Sequence, residues 1–187
     1  PAVVERWGMC QRDGVDCEER AQNVWTDLNQ VAEEHNDPCS FTTFPAYEWS
    51  ASPKTSNLHR NILFLNGETP SRPISYFDQP RPEQLWEALD EECNGSCDYL
   101  SIPHNSNLSG GRMFPAYDEV EKDALQEYAR QRLEHEPLVE IFQHKGSSEC
   151  SPYGPDEACI FEHIPFNNLI ADRYNGWLTQ KPSDQDF

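Results

Sequence analysis

Apolar residues recur at helical spacing in three stretches of the chain. This pattern predicts amphipathic helices over residues 23–34, from Pro82 to the loop between Cys93 and Cys97, and over residues 118–134. The apolar residues available for packing on these helices are Val24, Trp25, Leu28, Val31, Leu85, Trp86, Leu89, Val120, Leu125, Tyr128 and Leu133.

Four shorter runs, residues 41–49, 58–65, 98–103 and 138–142, are rich in aromatic and β-branched residues and are typical of strands. Strands that alternate with helices predict an α/β fold, a layer or barrel with mixed, mostly parallel strands. The first two strands are adjacent in the chain and could also pair antiparallel. We interpret the chain as a single domain whose residues 146–187 form an irregular, loop-rich tail.

The charge of the chain excludes several classes of partner. The chain has 33 acidic and 14 basic residues and a formal net charge of -19, so we expect no binding to nucleic acids or to anionic membrane surfaces. It also has no run of the ~18–20 apolar residues that a membrane-spanning helix needs. The acidic excess is typical of a solvated surface.

Six of the seven cysteines form local pairs, and Cys39 is left over. We predict three disulfides, and from them a periplasmic or extracellular protein whose signal peptide is not part of this sequence. A zinc site is less favoured because no CxxC motif occurs, and dithiol redox chemistry is disfavoured by the acidic surroundings. We expect Cys39 to be buried. The predicted pairs are Cys10–Cys17, Cys93–Cys97 and Cys150–Cys159.

Several potential metal ligands stand at strand ends, where reactive groups gather in α/β folds. Glu48 closes one predicted strand, His104 follows another, and Glu149 follows a third after a short loop, whereas His59 begins its strand. A carboxylate with imidazoles suits Zn, Mn or Fe. Each residue alone also fits an ordinary structural role, and the face on which His144 lies is left open by the pattern. The other histidines, in charged or turn segments, are expected to be structural: His35, His135 and His163.

Four strings occur in order along the chain: FTTFPAYEWS, NLHRNILFLN, IPHNSNLSGGRMF and PLVEIFQHKGSSE. Together they resemble an exported bacterial family of unknown function within the PHP (polymerase and histidinol phosphatase) superfamily, and the resemblance covers most of residues 10–162. The resemblance implies a distorted, seven-stranded β/α barrel with a metal cluster at the strand ends. Many proteins of that superfamily hydrolyse phosphate esters.

The resemblance also implies roles for individual residues. Glu48, His59 and His104 match ligand positions, with Glu48 expected to bridge two metals. Lys145 and Glu149 belong to a KGxxE string with an expected substrate-binding or ligand-supporting role. Arg60, less favoured than Lys145, is expected to meet substrate negative charge. Asn105 and Asn107 either orient His104 or the substrate, or simply cap their loop, and we favour the loop cap.

The HxH, Asp-His and DxH motifs that the PHP superfamily uses to complete its cluster are absent from this sequence. We therefore expect the chain to be part of a longer protein, to bind metal weakly or not at all by itself, and to show no turnover. An incomplete barrel would also leave sheet edges open for self-association.

The function that we expect for the whole protein is metal-dependent hydrolysis of a phosphoester or related bond in a small anionic substrate. The alternative is a non-catalytic extracellular or periplasmic ligand-binding module that kept the same fold. Such a module would use aromatic residues for ligand contact: Trp49, Phe114 and Tyr117.

Overall fold

The computed structural model describes residues 15–53, 56–109, 112–114, 122–141 and 143. Within them lie three helices and three strands, and all three helices were predicted from the spacing of apolar residues. In chain order the elements are α1 (Val15–His35), β1 (Ala46–Trp49), β2 (Arg60–Phe64), α2 (Pro82–Cys93), β3 (Tyr99–Pro103) and α3 (Lys122–His135). Among the described residues, no helix is a candidate for a membrane-spanning segment.

The three strands form one sheet in the order β1-β2-β3, and both pairings are antiparallel. The backbone N–H of Phe64 donates to the carbonyl of Pro45, and that of Leu65 donates to the carbonyl of Asp98. The end of β2 therefore lies beside the start of both neighbouring strands. The predicted barrel with mixed, mostly parallel strands is wrong, and the described sheet is a small, open, antiparallel one.

The Asn66 side chain, two residues after β2, joins the end of β2 to the start of β3. Asn66 donates from Nδ2 to the carbonyl of Ser96 at 2.7 Å and accepts from the backbone N–H of Asp98 at 3.1 Å. Gly67 follows with φ of 78°, a conformation that favours glycine. The chain thus leaves β2 and enters β3 at the same end of the sheet. The segment that contains α2 therefore does not connect two parallel strands.

The segment predicted as a fourth strand, residues 138–142, is not a strand in its described part, residues 138–141. The backbone N–H of Glu140 donates to the carbonyl of Pro103 at 3.1 Å, beside the end of β3. Leu138, Val139 and Ile141 are exposed rather than packed on a sheet. A short apolar alternation without a burying partner does not suffice to extend the sheet.

The first of two compact units comprises Pro1–Trp49 and Ile62–Leu100. Its core is built around Trp25, whose indole N–H donates to the carbonyl of Pro70 at 2.9 Å. The rings of Tyr47 and Phe64 meet Trp25 edge-on, with centroids 5.6 and 5.9 Å away. Trp25 is thus the residue that anchors α1 in this core.

The rest of the predicted apolar face of α1 is not buried. Val24, Leu28 and Val31 are all more than half exposed. They lie four and three residues apart and form one stripe, whereas Trp25 lies about 100° around the helix from Val24. The helix is therefore rotated so that Trp25, rather than this stripe, is buried.

The cysteines give mixed outcomes. The disulfide Cys93–Cys97 is present, as predicted, and it follows the end of α2. Cys17 is also disulfide-bonded, while Cys10, Cys150 and Cys159 lie outside the described residues. Cys39 is a free, exposed thiol, so the prediction that it is buried was wrong. The reason is its place in a tight turn between Asp37 and Phe41, where its φ is 71°.

Asp78 stabilises the loop before α2 by accepting several hydrogen bonds from other residues of the same loop. It accepts from Arg72 Nη1 at 3.0 Å, from the Ser75 backbone N–H at 2.9 Å and from Ser75 Oγ at 2.7 Å. Burial opposes ionisation of Asp78, but the bonds from Ser75 and Arg72 outweigh it and hold the pKa of its carboxyl below the usual value. The ionised form of Asp78 is therefore stabilised in the folded state.

We expect Asp78→Asn to lower the free energy of unfolding by about 1–3 kcal/mol at neutral pH. Because the folded-state pKa is lowered, the stabilisation is complete above the unfolded-state pKa of about 3.9 and is lost as the pH falls through the folded-state value. Urea denaturation of both proteins from neutral to acidic pH should show the difference shrinking on the acid side. The exposed Asp27→Asn serves as the control, and a constant difference for Asp78→Asn across this range would contradict the argument.

Candidate functional site

The second compact unit comprises Ser50–Asn61 and Ser101–Phe187, and it brings together two of the sequence-predicted ligands. His59 directly precedes β2 and His104 directly follows β3. Because these strands are antiparallel, the two residues lie opposite each other, and the backbone N–H of His104 donates to the carbonyl of His59 at 3.2 Å. Their ring centroids are 5.5 Å apart. We call them the histidine pair.

Hydrogen bonding fixes which nitrogen of His104 carries its proton. Nδ1 contacts the carbonyl oxygen of Asn105, which can only accept, so Nδ1 donates and Nε2 keeps its lone pair. Burial lowers the pKa of His104 below its usual value, and the nearby His59 acts in the same direction. The Asn105 carbonyl and Glu140 oppose this shift without reversing it. The lowered pKa favours the neutral ring, which is the form in which imidazole binds metals.

His59 is oriented by a serine from the preceding loop. Its Nε2 lies 3.2 Å from Ser52 Oγ, within hydrogen-bonding distance. A hydroxyl at this position restricts the rotation of the ring, as the partners of metal-binding histidines do. Sequence reasoning missed Ser52, because a serine seven residues before a histidine carries no distinctive spacing.

The geometry of the histidine pair is compatible with one shared metal ion. Two imidazoles on a tetrahedral metal, with metal–nitrogen bonds of about 2.0–2.1 Å, place their ring centroids roughly 5 Å apart. The observed 5.5 Å is close to this value. Within the described ranges, however, no group of three or more His, Cys, Asp or Glu side chains is placed to hold a metal. By themselves, the described residues therefore do not make a complete metal site.

The loop after His104 is held by its own side chains. Asn105 is buried, and its Oδ1 accepts from the Asn107 backbone N–H at 3.2 Å and from Gln143 Nε2 at 2.7 Å. Glu140 Oε2 accepts from the Asn105 backbone N–H at 3.0 Å. These bonds fix the carbonyl that holds His104. Sequence reasoning missed Glu140 because it placed this residue on a predicted strand whose described part, residues 138–141, is not a strand. It also assigned no role to Gln143.

A buried ionic network lies in the same unit. Arg60 is 1% exposed and donates from Nε to Glu136, and from Nη1 to the carbonyl of Leu58 at 2.5 Å. Ser101 Oγ donates to Glu136 at 3.4 Å, and Arg132 Nη2 lies 2.9 Å from the other carboxylate oxygen without pointing its N–H at it. Arg60 therefore neutralises a buried carboxylate, and its contact with substrate stays a prediction.

Three of the remaining sequence-predicted residues lie within the described ranges, namely Glu48, Trp49 and Phe114. Glu48 lies exposed on β1, in the first compact unit. Trp49 is fully buried, and Phe114 is partly exposed with the Arg132 guanidinium 4.9 Å from its ring centroid. The other predicted site residues lie outside the described ranges: Tyr117, His144, Lys145 and Glu149.

Comparison with known proteins identifies one family. The family model described as "Protein of unknown function (DUF3604)" matches residues 2–181. No curated protein and no solved structure matches the chain. The expectation of a family of unknown function is confirmed, whereas the resemblance to the PHP superfamily is not shown.

Proposed function

The chain belongs to this DUF3604 family of proteins of unknown function, and we propose that its histidine pair binds a divalent metal ion that serves hydrolysis. A bound Zn, Mn or Fe ion supplies Lewis acidity and activates water for attack on an ester or phosphoester. His59 and His104 would each supply one ring nitrogen. Glu48, His144 and Glu149 stay sequence-based candidates for further ligands.

The single observation that supports this proposal best is the hydrogen bonding of His104, together with its lowered pKa. Its Nδ1–H donates to the Asn105 carbonyl, and its lowered pKa favours the neutral ring. The lone pair of Nε2 is therefore available at neutral pH without a prior loss of a proton. A second ring, that of His59, has its centroid 5.5 Å from that of His104, close to the separation of roughly 5 Å in a shared tetrahedral site.

The chain's own residues around the pair hold and orient the two rings. The Asn105 carbonyl fixes His104, and Glu140 fixes the Asn105 backbone in turn. Ser52 restricts the ring of His59. Such supporting partners raise metal affinity because less ordering remains to be done on binding.

We also propose a periplasmic or extracellular location for the protein. The Cys93–Cys97 disulfide supports this proposal because disulfides persist in oxidising compartments and are rare in the cytosol.

Equilibrium dialysis of the full chain against Zn²⁺ or Mn²⁺ tests the proposed metal site. We expect His59→Ala and His104→Ala each to weaken metal affinity by about tenfold or more, since loss of even a supporting partner costs about 10–100-fold. His35→Ala, at the exposed end of α1, is the matched control and should bind like the unaltered chain. Hydrolysis of a nitrophenyl phosphate ester, where present, should fall in the same two variants. Equal affinity in all four proteins would overturn the proposal.

A further inference from the structure

Two buried amide groups beside the histidine pair have no hydrogen-bond partner in the described part of the chain. They are Nδ2 of Asn105 and Nδ2 of Asn107, whose residues are 2% and 5% exposed. A buried donor left unsatisfied costs about 1–3 kcal/mol, so such groups normally have a partner. An amide N–H can only donate, and what is missing at both positions is an acceptor.

The charge of the surrounding loops indicates what kind of acceptor fits. The chain carries 33 acidic residues, yet residues 50–61 and 101–114 contain none of them. These two segments do contain the cationic residues Lys54, Arg60 and Arg112, and they are rich in serine and asparagine. Arg60 is paired with Glu136, and the one described carboxylate that reaches Asn105, that of Glu140, accepts from the Asn105 backbone N–H. Arg112 is therefore the described cation in these segments that is left to attract an anion.

Hydrogen bonds join these two segments to each other. The Asn57 backbone N–H donates to the carbonyl of Leu108 at 2.9 Å. Arg112 Nη1 lies 3.3 Å from both the carbonyl of Pro53 and Ser56 Oγ. No carboxylate among the described residues pairs with Arg112. Its guanidinium has five N–H donors in total, so donors remain beyond those of Nη1.

We propose that these loops bind a tetrahedral oxyanion, of the phosphate type, through the side-chain amides of Asn105 and Asn107 and the guanidinium of Arg112. As a subsite for the charged group of a substrate, it rests on the proposed hydrolytic function, because His104 directly precedes this loop. The anion accepts hydrogen bonds from the two unpaired side-chain amides, and the arginine balances the negative charge of the anion. An ordered water molecule is the competing occupant.

Titration with inorganic phosphate, in the presence of a chelator and at constant ionic strength, tests the anion subsite without the metal. The side-chain amide signals of Asn105 and Asn107 should move in ¹⁵N NMR spectra and saturate. Asn107→Ala and Arg112→Gln should each weaken phosphate binding by about tenfold or more. The matched controls are Asn23→Ala and Arg130→Gln, both exposed on helices, and they should bind phosphate normally.

Three outcomes would overturn the inference: amide signals that do not move, phosphate affinity unchanged in Arg112→Gln and Asn107→Ala, or an equal response to acetate. Should Asn107→Ala fail to fold, Arg112→Gln and the amide signals of the unaltered chain still decide. The anion and metal proposals fail separately. Zinc binding without phosphate binding overturns only the anion subsite, and phosphate binding without zinc binding overturns only the metal site.

Discussion

Glu136→Gln is expected to lower the free energy of unfolding by about 3–5 kcal/mol, because it removes the charge that neutralises a buried arginine. Arg60 is 1% exposed and the Glu136 side chain is fully buried, so water cannot replace the lost partner. Arg132 also pairs with the same carboxylate, and its repulsion with Arg60 would become uncompensated. Urea denaturation at neutral pH measures the change.

Glu134→Gln is the matched control for this prediction. Glu134 pairs with Arg130 on the exposed face of α3, with both side chains more than half exposed, and we expect no measurable loss of stability because water screens such pairs. The double replacement Arg60→Met with Glu136→Leu should recover much of the stability, because apolar residues can replace a buried ion pair. A loss below about 1 kcal/mol for Glu136→Gln would show that the network is not buried as described.

Trp49→Ala is expected to destabilise the protein by about 3–5 kcal/mol, the usual cost of removing a large buried aromatic side chain. Trp49 has no exposed surface, its indole N–H donates to the carbonyl of Gln79 at 3.2 Å, and its ring meets Tyr76 edge-on. In a ligand-binding module, Trp49 would instead be a contact residue whose loss weakens binding and leaves the fold intact.

Urea denaturation followed by circular dichroism distinguishes these two roles of Trp49. The half-exposed Phe77→Ala is the control, and we expect it to cost about 1 kcal/mol or less. A Trp49→Ala protein of unchanged stability would contradict a core role and restore this residue as a candidate for ligand contact.

Local chemistry in the sequence was sufficient to predict several elements. Pro82 at the first turn of α2 and the buried Leu85, Trp86 and Leu89 on one face are signals that lie within a few residues of each other. The short apolar run before His104 likewise predicted β3. In these cases the signal and the structure depend on the same neighbouring residues.

Strand direction could not be predicted, because alternation reports which residues are buried and not how strands pair. The antiparallel arrangement depends on contacts of Asn66 with Ser96 and Asp98, some thirty residues along the chain. The rotation of α1 about Trp25 depends in the same way on Pro70 and Phe64. Such long-range contacts leave little trace in local patterns.

The candidate site was predicted only in part, and the missing part has the same cause. His59 and His104 were named from motifs and strand ends, but their proximity follows from the antiparallel pairing of β2 with β3. Ser52 and Glu140 support the site from loops whose conformation no local pattern specified. The type of residue was therefore predictable, whereas its supporting partners were not.

Histidine ¹⁵N NMR during a zinc titration of the full chain tests the central claim, a metal-binding histidine pair, most directly. Before zinc is added, we predict a neutral His104 with its proton on Nδ1. As zinc is added, Nε2 of His104 and one ring nitrogen of His59 should shift together with a single affinity, while His35 stays unchanged. Ring nitrogens of His59 and His104 that do not respond at saturating zinc, or that respond no more than His35, would contradict the claim.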